Sequence, residues 1–176
     1  MKFIPTAVDG AFEIELEGYS DERGFFARAF CANEFASQNL VTHFLQCNLS
    51  LNPQRGTLRG MHFQCSPQAE VKLVRAIRGR VFDVALDLRP ESHTYMAWAA
   101  VELDASQHNA FYIPQGCAHG FLTLEDNSDL FYQVSEFYTP TSESGVRWND
   151  PVFDIQWPND PTLISQKDAN HSDYRR

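Results

Sequence analysis

The segment Phe12-Glu13-Ile14-Glu15-Leu16-Glu17 alternates strictly between apolar and acidic side chains. A backbone of period two sets Phe12, Ile14 and Leu16 on one face and three carboxylates on the other, the pattern of a half-buried antiparallel strand. Further strand-like runs cover residues 43–50, 57–64, 71–77, 80–88, 96–103, 110–113, 120–124 and 130–137. Turn signals separate them at Asn52-Pro53, Gly79, Arg89-Pro90, Pro114-Gln115-Gly116 and Asp126-Asn127. Only residues 32–39 look helical, with Asn33 as a candidate N-cap. Many short strands and almost no helix predict an all-β jelly-roll sandwich or barrel with a few short helices. The 14 phenylalanines suit two sheets interdigitating around an aromatic-rich core.

The 176 residues are enough for one domain with a full core, and no linker, repeat or low-complexity stretch divides them, so residues 1–176 read as a single domain. After Trp157-Pro158 the pattern turns polar, and residues 159–176 are expected to wrap the sandwich as turns and short helix without adding strands. No apolar run approaches the roughly 20 residues that span a bilayer. The first residues lack an apolar core and soon reach Glu13, Glu15 and Glu17, so no signal peptide and no membrane is expected, and the cytoplasm is the expected compartment. Cys31, Cys47, Cys65 and Cys117 form no close Cys-x-x-Cys pair, which argues for free, mostly buried thiols. A formal charge of −9 argues against the extended basic face that duplex nucleic acid requires, and no nucleic-acid partner is expected. A small anion could still be met by a local cluster drawn from Arg23, Arg59, Lys72 and Lys167.

His62 lies inside the strand-like run Arg59-Gly60-Met61-His62-Phe63-Gln64, and imidazole is the side chain that titrates near neutral pH. A core histidine satisfied by neighbours would give the same string. Lys72 is one of only three lysines against eleven arginines, so a role beyond solubility is expected of it. Asp83, within a hydrophobic run, is a candidate buried carboxylate.

The strings RGMHFQ, KLVR at 72–75, FDVALDLR at 82–89, DERGFF at 21–26, IPQGCAHGF at 113–121, GVRWNDP at 145–151 and ISQKD at 164–168 occur in an order and spacing that resembles the dTDP-4-dehydrorhamnose 3,5-epimerase family. The resemblance implies a jelly roll of the cupin type, a homodimer, and epimerisation of a nucleotide-linked 4-keto-6-deoxyhexose without metal or redox cofactor. It assigns His62 as base, Asp168 as the carboxylate that orients it, Lys72 as the cation at the enolate and Tyr132 as the acid across the ring. Arg23 and Arg59 match diphosphate contacts, Gln46 and Asn48 the nucleoside, Tyr138 the aromatic on the base, His119 a histidine at substrate or diphosphate, and Glu143 and Lys167 complete the binding set. Arg28 and Cys47 depart from the pattern, where glutamate and aspartate are common, beside the expected nucleotide.

Carbons 3 and 5 of such a sugar flank the C4 ketone, so either proton can leave as an enolate forms and return on the other face. That chemistry needs a base, an oxyanion partner and an opposing acid. Two other readings compete. One is a metal-dependent cupin enzyme using His62 and His119, although His62 is followed by Phe63 and Gln64 and not by the second histidine of a His-x-His pair. The other is a non-catalytic sugar-nucleotide-binding jelly roll. Pairing across a dimer is expected of the amphipathic strand at Phe12.

Overall fold

The computed structural model describes residues 1–175. The chain runs β1 (Lys2–Pro5), β2 (Phe12–Glu15), β3 (Gly18–Asp21), β4 (Gly24–Ala27), α1 (Ala32–Ser37), β5 (Gln46–Asn52), β6 (Thr57–Gln64), β7 (Lys72–Arg78), β8 (Arg80–Asp87), β9 (Trp98–Asp104), β10 (Ala110–Ile113), β11 (Cys117–Thr123), β12 (Ser128–Val134), β13 (Glu143–Gly145), β14 (Leu163–Ile164) and α2 (Gln166–Ala169). Two sheets carry the structure. One has the order β1-β2-β10-β7-β12-β5; the other has β13-β6-β11-β8-β9, with β14 added beside β6. Non-consecutive neighbours make this a jelly roll, and the all-β expectation holds.

Between the sheets lies a core of Val74, Ala76, Phe111, Ile113 and Leu130 from the first and Val81, Ala85, Val101, Leu103 and Phe121 from the second. The outer faces are covered too. Phe35 of α1 seals the first sheet against Ile14, Leu73 and Tyr112. On the second sheet, Val146 and Phe153 cover Met61, Val84, Leu86 and Ala118, with Trp157 and Tyr174 packed against them. Covering both faces explains why every residue of β11 is buried and why its sequence reads as a continuous run instead of an alternation.

Several expectations are corrected. The helix is capped by Cys31, whose side chain makes no capping bond, and Asn33 lies inside it. The tail does add a strand, because Leu163 and Ile164 pair in parallel with Thr57 and Leu58. The strand at Phe12 has β1 on one side and β10 on the other, so its own edges are filled. The edge strands of that sheet are β1 and β5, and on β5 Cys47, Leu49 and Leu51 are exposed. Only Cys117 of the four free cysteines is buried; Cys47 and Cys65 are exposed. The hairpin of β3 and β4 was not foreseen, and it holds Tyr19, Phe25 and Phe26 in the open.

Candidate active site

Where β5 and β12 of one sheet face β6 and β13 of the other, the sandwich opens into a cavity of about 770 Å³. That is within the size range of sites for small-molecule ligands. Each element contributes its inward-facing set. From the first sheet come Gln46, Asn48, Lys72 and Tyr132; from the second, Arg59, His62, His119 and Glu143; and from the tail, Lys167 and Asp168, with Tyr138 at the edge.

Gly60 and Gly120 let β6 and β11 approach beside the histidines. A Cβ on Gly60, whose φ is +129°, would stand 2.4 Å from the Gly120 Cα, so neither position admits a side chain. His62 and His119 are then direct neighbours in register across the two strands. His62 Nε2 lies 2.7 Å from Asp168 Oδ1, and the Gly60 amide donates to Oδ2 of the same carboxylate at 3.1 Å. Asp168 reaches this position because Ser165 caps α2, its hydroxyl accepting from the Asp168 amide at 3.1 Å. Burial would raise the Asp168 carboxyl, but the His62 bond and charge, with the Gly60 and Ser165 bonds, hold it below its usual value. A carboxylate that stays ionised fixes an N–H on Nε2 and leaves the Nδ1 lone pair to accept a proton.

Asp83 is fully buried and serves the other histidine, with both oxygens near His119 Nε2 at 2.9 and 3.0 Å. Burial raises the Asp83 carboxyl, opposed by His119 and Lys72. The Lys72 ammonium donates to Glu70, so it sits between two buried carboxylates. Tyr132, across the cavity on β12, has its phenol raised by burial, with Arg59 opposing and Glu70 adding to the shift. It is a proton donor at neutral pH. Along the rim Tyr138 and Lys167 both donate to Glu143, at 2.9 and 2.6 Å, and the Tyr138 amide donates to the Gln46 carboxamide at 2.6 Å. Arg59 gives Nε to Asn52 Oδ1 at 2.8 Å, which aims the rest of its guanidinium.

Of the catalytic and binding residues that the resemblance assigns, Arg23 alone does not line this cavity. It stands on the β3–β4 turn with 84% of its side chain exposed and pairs with Asp21. Arg28 is outside as well, donating to Glu34, and Cys47 faces away from the cavity on the outer side of β5. Glu70 was missed by sequence reasoning, although its position two residues before Lys72 places it on the same side of an extended chain. His171 was missed too. Its ring packs 6.1 Å from that of His62, and burial together with the nearby His62 charge holds its pKa below the usual value.

Among known proteins, the family model described as dTDP-4-dehydrorhamnose 3,5-epimerase matches residues 5–176. A dTDP-4-dehydrorhamnose 3,5-epimerase of Methanothermobacter thermautotrophicus is 46% identical, over 96% of this chain and 92% of its own. The crystal structure of the enzyme of that name from Elizabethkingia anophelis superposes with a TM-score of 0.95 at 36% identity, covering 99% of this chain and 96% of its own. A Legionella pneumophila dTDP-6-deoxy-D-glucose-3,5-epimerase, solved in complex with dTDP-4-keto-L-rhamnose, gives 0.90 at 39% identity, covering 97% and 90%.

Proposed function

Because the chain belongs to the dTDP-4-dehydrorhamnose 3,5-epimerase family, we propose that it inverts C3, C5 or both of a nucleoside-diphosphate 4-keto-6-deoxyhexose, with dTDP-4-dehydro-6-deoxy-D-glucose as substrate and dTDP-4-dehydro-L-rhamnose as product. One observation supports the reading: a histidine held by an ionised carboxylate and a half-buried phenol on the opposite sheet line a single cavity.

Nδ1 of His62 takes the proton from the carbon beside the C4 ketone, and the electron pair moves onto the carbonyl oxygen. The Lys72 ammonium meets the resulting oxyanion, worth more in a water-poor cavity than in bulk solvent. Tyr132 returns a proton to the opposite face, and the imidazolium and phenolate exchange protons with solvent to reset the site. One proton leaves and one arrives, so no electron acceptor is needed. Arg59 and Lys167 supply positive charge for the diphosphate in a chain of net charge −9. Gln46, Asn48 and Tyr138 hold the nucleoside, with Glu143 fixing Tyr138 and Lys167. His119 positions substrate and is itself fixed by Asp83. The competing metal reading is disfavoured because His62 and His119 each direct Nε2 at a separate carboxylate.

A homodimer fits the same geometry. Arg23 stands outside the cavity of its own chain on a hairpin that bares Tyr19, Phe25 and Phe26, and the β5 edge bares Leu49 and Leu51. A second copy that covered these surfaces would bring Arg23 to a neighbouring diphosphate. A cytoplasmic site suits the exposed thiols of Cys47 and Cys65. Among the described residues no helix is long and apolar enough to cross a membrane. Proton NMR of dTDP-, CDP- and GDP-linked 4-keto sugars in heavy water tests carbon and nucleotide together. Deuterium entering C3 or C5 of the dTDP sugar supports the proposal, whereas binding without exchange makes the protein a binding module.

A further inference from the structure

Beside the proposed catalytic histidine the tail brings up a second imidazole, His171, which is not among the residues lining the cavity. His62, Asp168 and His171 each offer one ligand atom, and these atoms lie within 4.8 Å of one another. Nε2 of His171 is buried and has no hydrogen-bond partner among the described residues. The backbone is shaped for this ring. A Cβ added to Gly145 would stand 2.5 Å from both Cε1 and Nε2 of His171, so glycine at this position of β13 is what admits the imidazole next to His62, its register partner.

We propose that His62, Asp168 and His171 form an inhibitory binding site for a zinc-class divalent cation. Two imidazoles and one carboxylate are a borderline ligand set that suits Zn²⁺, with a water completing a tetrahedron. Bonds of about 2.0–2.1 Å put tetrahedral ligand atoms roughly 3.4 Å apart. The longest separation therefore closes by at most about 1.4 Å, and His171, two residues past the end of α2, is the ligand able to move. The consequence for proton transfer is the same whichever nitrogen of His62 is used. Coordination through Nδ1 occupies the lone pair that would accept the proton. Coordination through Nε2 displaces the N–H there and puts the ring proton on Nδ1. Either way the base is lost, and it returns when the ion leaves. The inhibition, but not the binding, rests on the epimerase reading.

Equilibrium dialysis of the full chain against zinc chloride tests the site without reference to activity. One Zn²⁺ per chain is expected at micromolar concentration, lowered at least tenfold in affinity by His171→Ala and by His171→Gln, the latter keeping bulk at the site. In parallel, deuterium exchange into the dTDP sugar is expected to fall as zinc binds and to recover with EDTA, while His171→Ala is as active as the parent without zinc and at least tenfold less sensitive to it. Two results overturn the proposal: no stoichiometric binding at 100-fold excess zinc, or equal binding and sensitivity in both His171 variants, which would put the ion elsewhere, such as on the exposed thiols. Stoichiometric zinc lost on His171 substitution, in a protein with no exchange activity, leaves the site standing and sinks the epimerase reading instead.

Discussion

His62 and His119 face each other in register on neighbouring strands, yet each is bound to a different carboxylate, Asp168 from the tail and Asp83 from β8. The two imidazoles therefore work in separate electrostatic settings. Asp168 lies at the cavity and keeps its charge, so His62 can act as a base, whereas fully buried Asp83 locks His119 in place. Asp168→Asn is expected to lower turnover about 10²- to 10⁴-fold with little change in substrate affinity, since an amide no longer fixes the basic tautomer. Steady-state kinetics beside ligand titration separates the two quantities.

On the proposed mechanism, Tyr132→Phe removes the returning acid but leaves the base. Deuterium exchange at one carbon is expected to persist while inversion stops, as read by NMR of the recovered sugar. Unchanged inversion in this variant rules out the phenol as the acid.

Lys72 and Glu70 form a buried ion pair through Oε1 of the glutamate, and its Oε2 has no hydrogen-bond partner among the described residues. Lys72→Met strands that carboxylate. Destabilisation of about 3 kcal/mol is expected in urea unfolding, most of it recovered when Glu70→Gln is added, because the cost lies in the unpaired charge. Activity is not expected to recover with stability.

How much of this was legible in the sequence depends on which faces were covered. The runs of β6, β7, β8 and β12 were found because apolar residues inside the sandwich leave a pattern, and the site strings lie on those strands. The β3–β4 hairpin left no such trace, since Tyr19, Phe25 and Phe26 are exposed on it and no alternation marks a buried side. In the same way Met96 was read as strand, although its φ of +69° places it in the turn before β9. Asp168 could be picked out only through the resemblance, because a contact spanning 106 residues to His62 has no local signal. Glu70 and His171 were missed for the opposite reason: a glutamate at a turn and a histidine in a polar tail both look like solvated surface.

Asp87 sets a pH limit on stability. Burial would raise its carboxyl, but Arg89, Ser92 and Thr94 more than offset this and bring it from 3.8 down to about 2. A carboxylate depressed on folding stabilises above its unfolded pKa, so the contribution, about 2 kcal/mol, is complete above about pH 4 and is lost as pH falls to about 2. Asp87→Asn is expected to lower stability at pH 7 and to flatten that part of the acid-unfolding curve.

Cys117 is pushed up to about 12 by burial, with the nearby Arg89 opposing, so its thiol is protonated at pH 8. Iodoacetamide on the native protein, followed by mass spectrometry, is expected to modify exposed Cys47 and Cys65 and spare Cys117.

The central claim is that His62 removes a proton from carbon next to a ketone. Proton NMR of dTDP-4-dehydro-6-deoxy-D-glucose in heavy water, comparing the parent protein with His62→Ala, measures that step itself. Deuterium is expected to enter C3 or C5 with the parent and to stay at the uncatalysed level with the variant, while both bind dTDP. Exchange at the parental rate in His62→Ala would contradict the account.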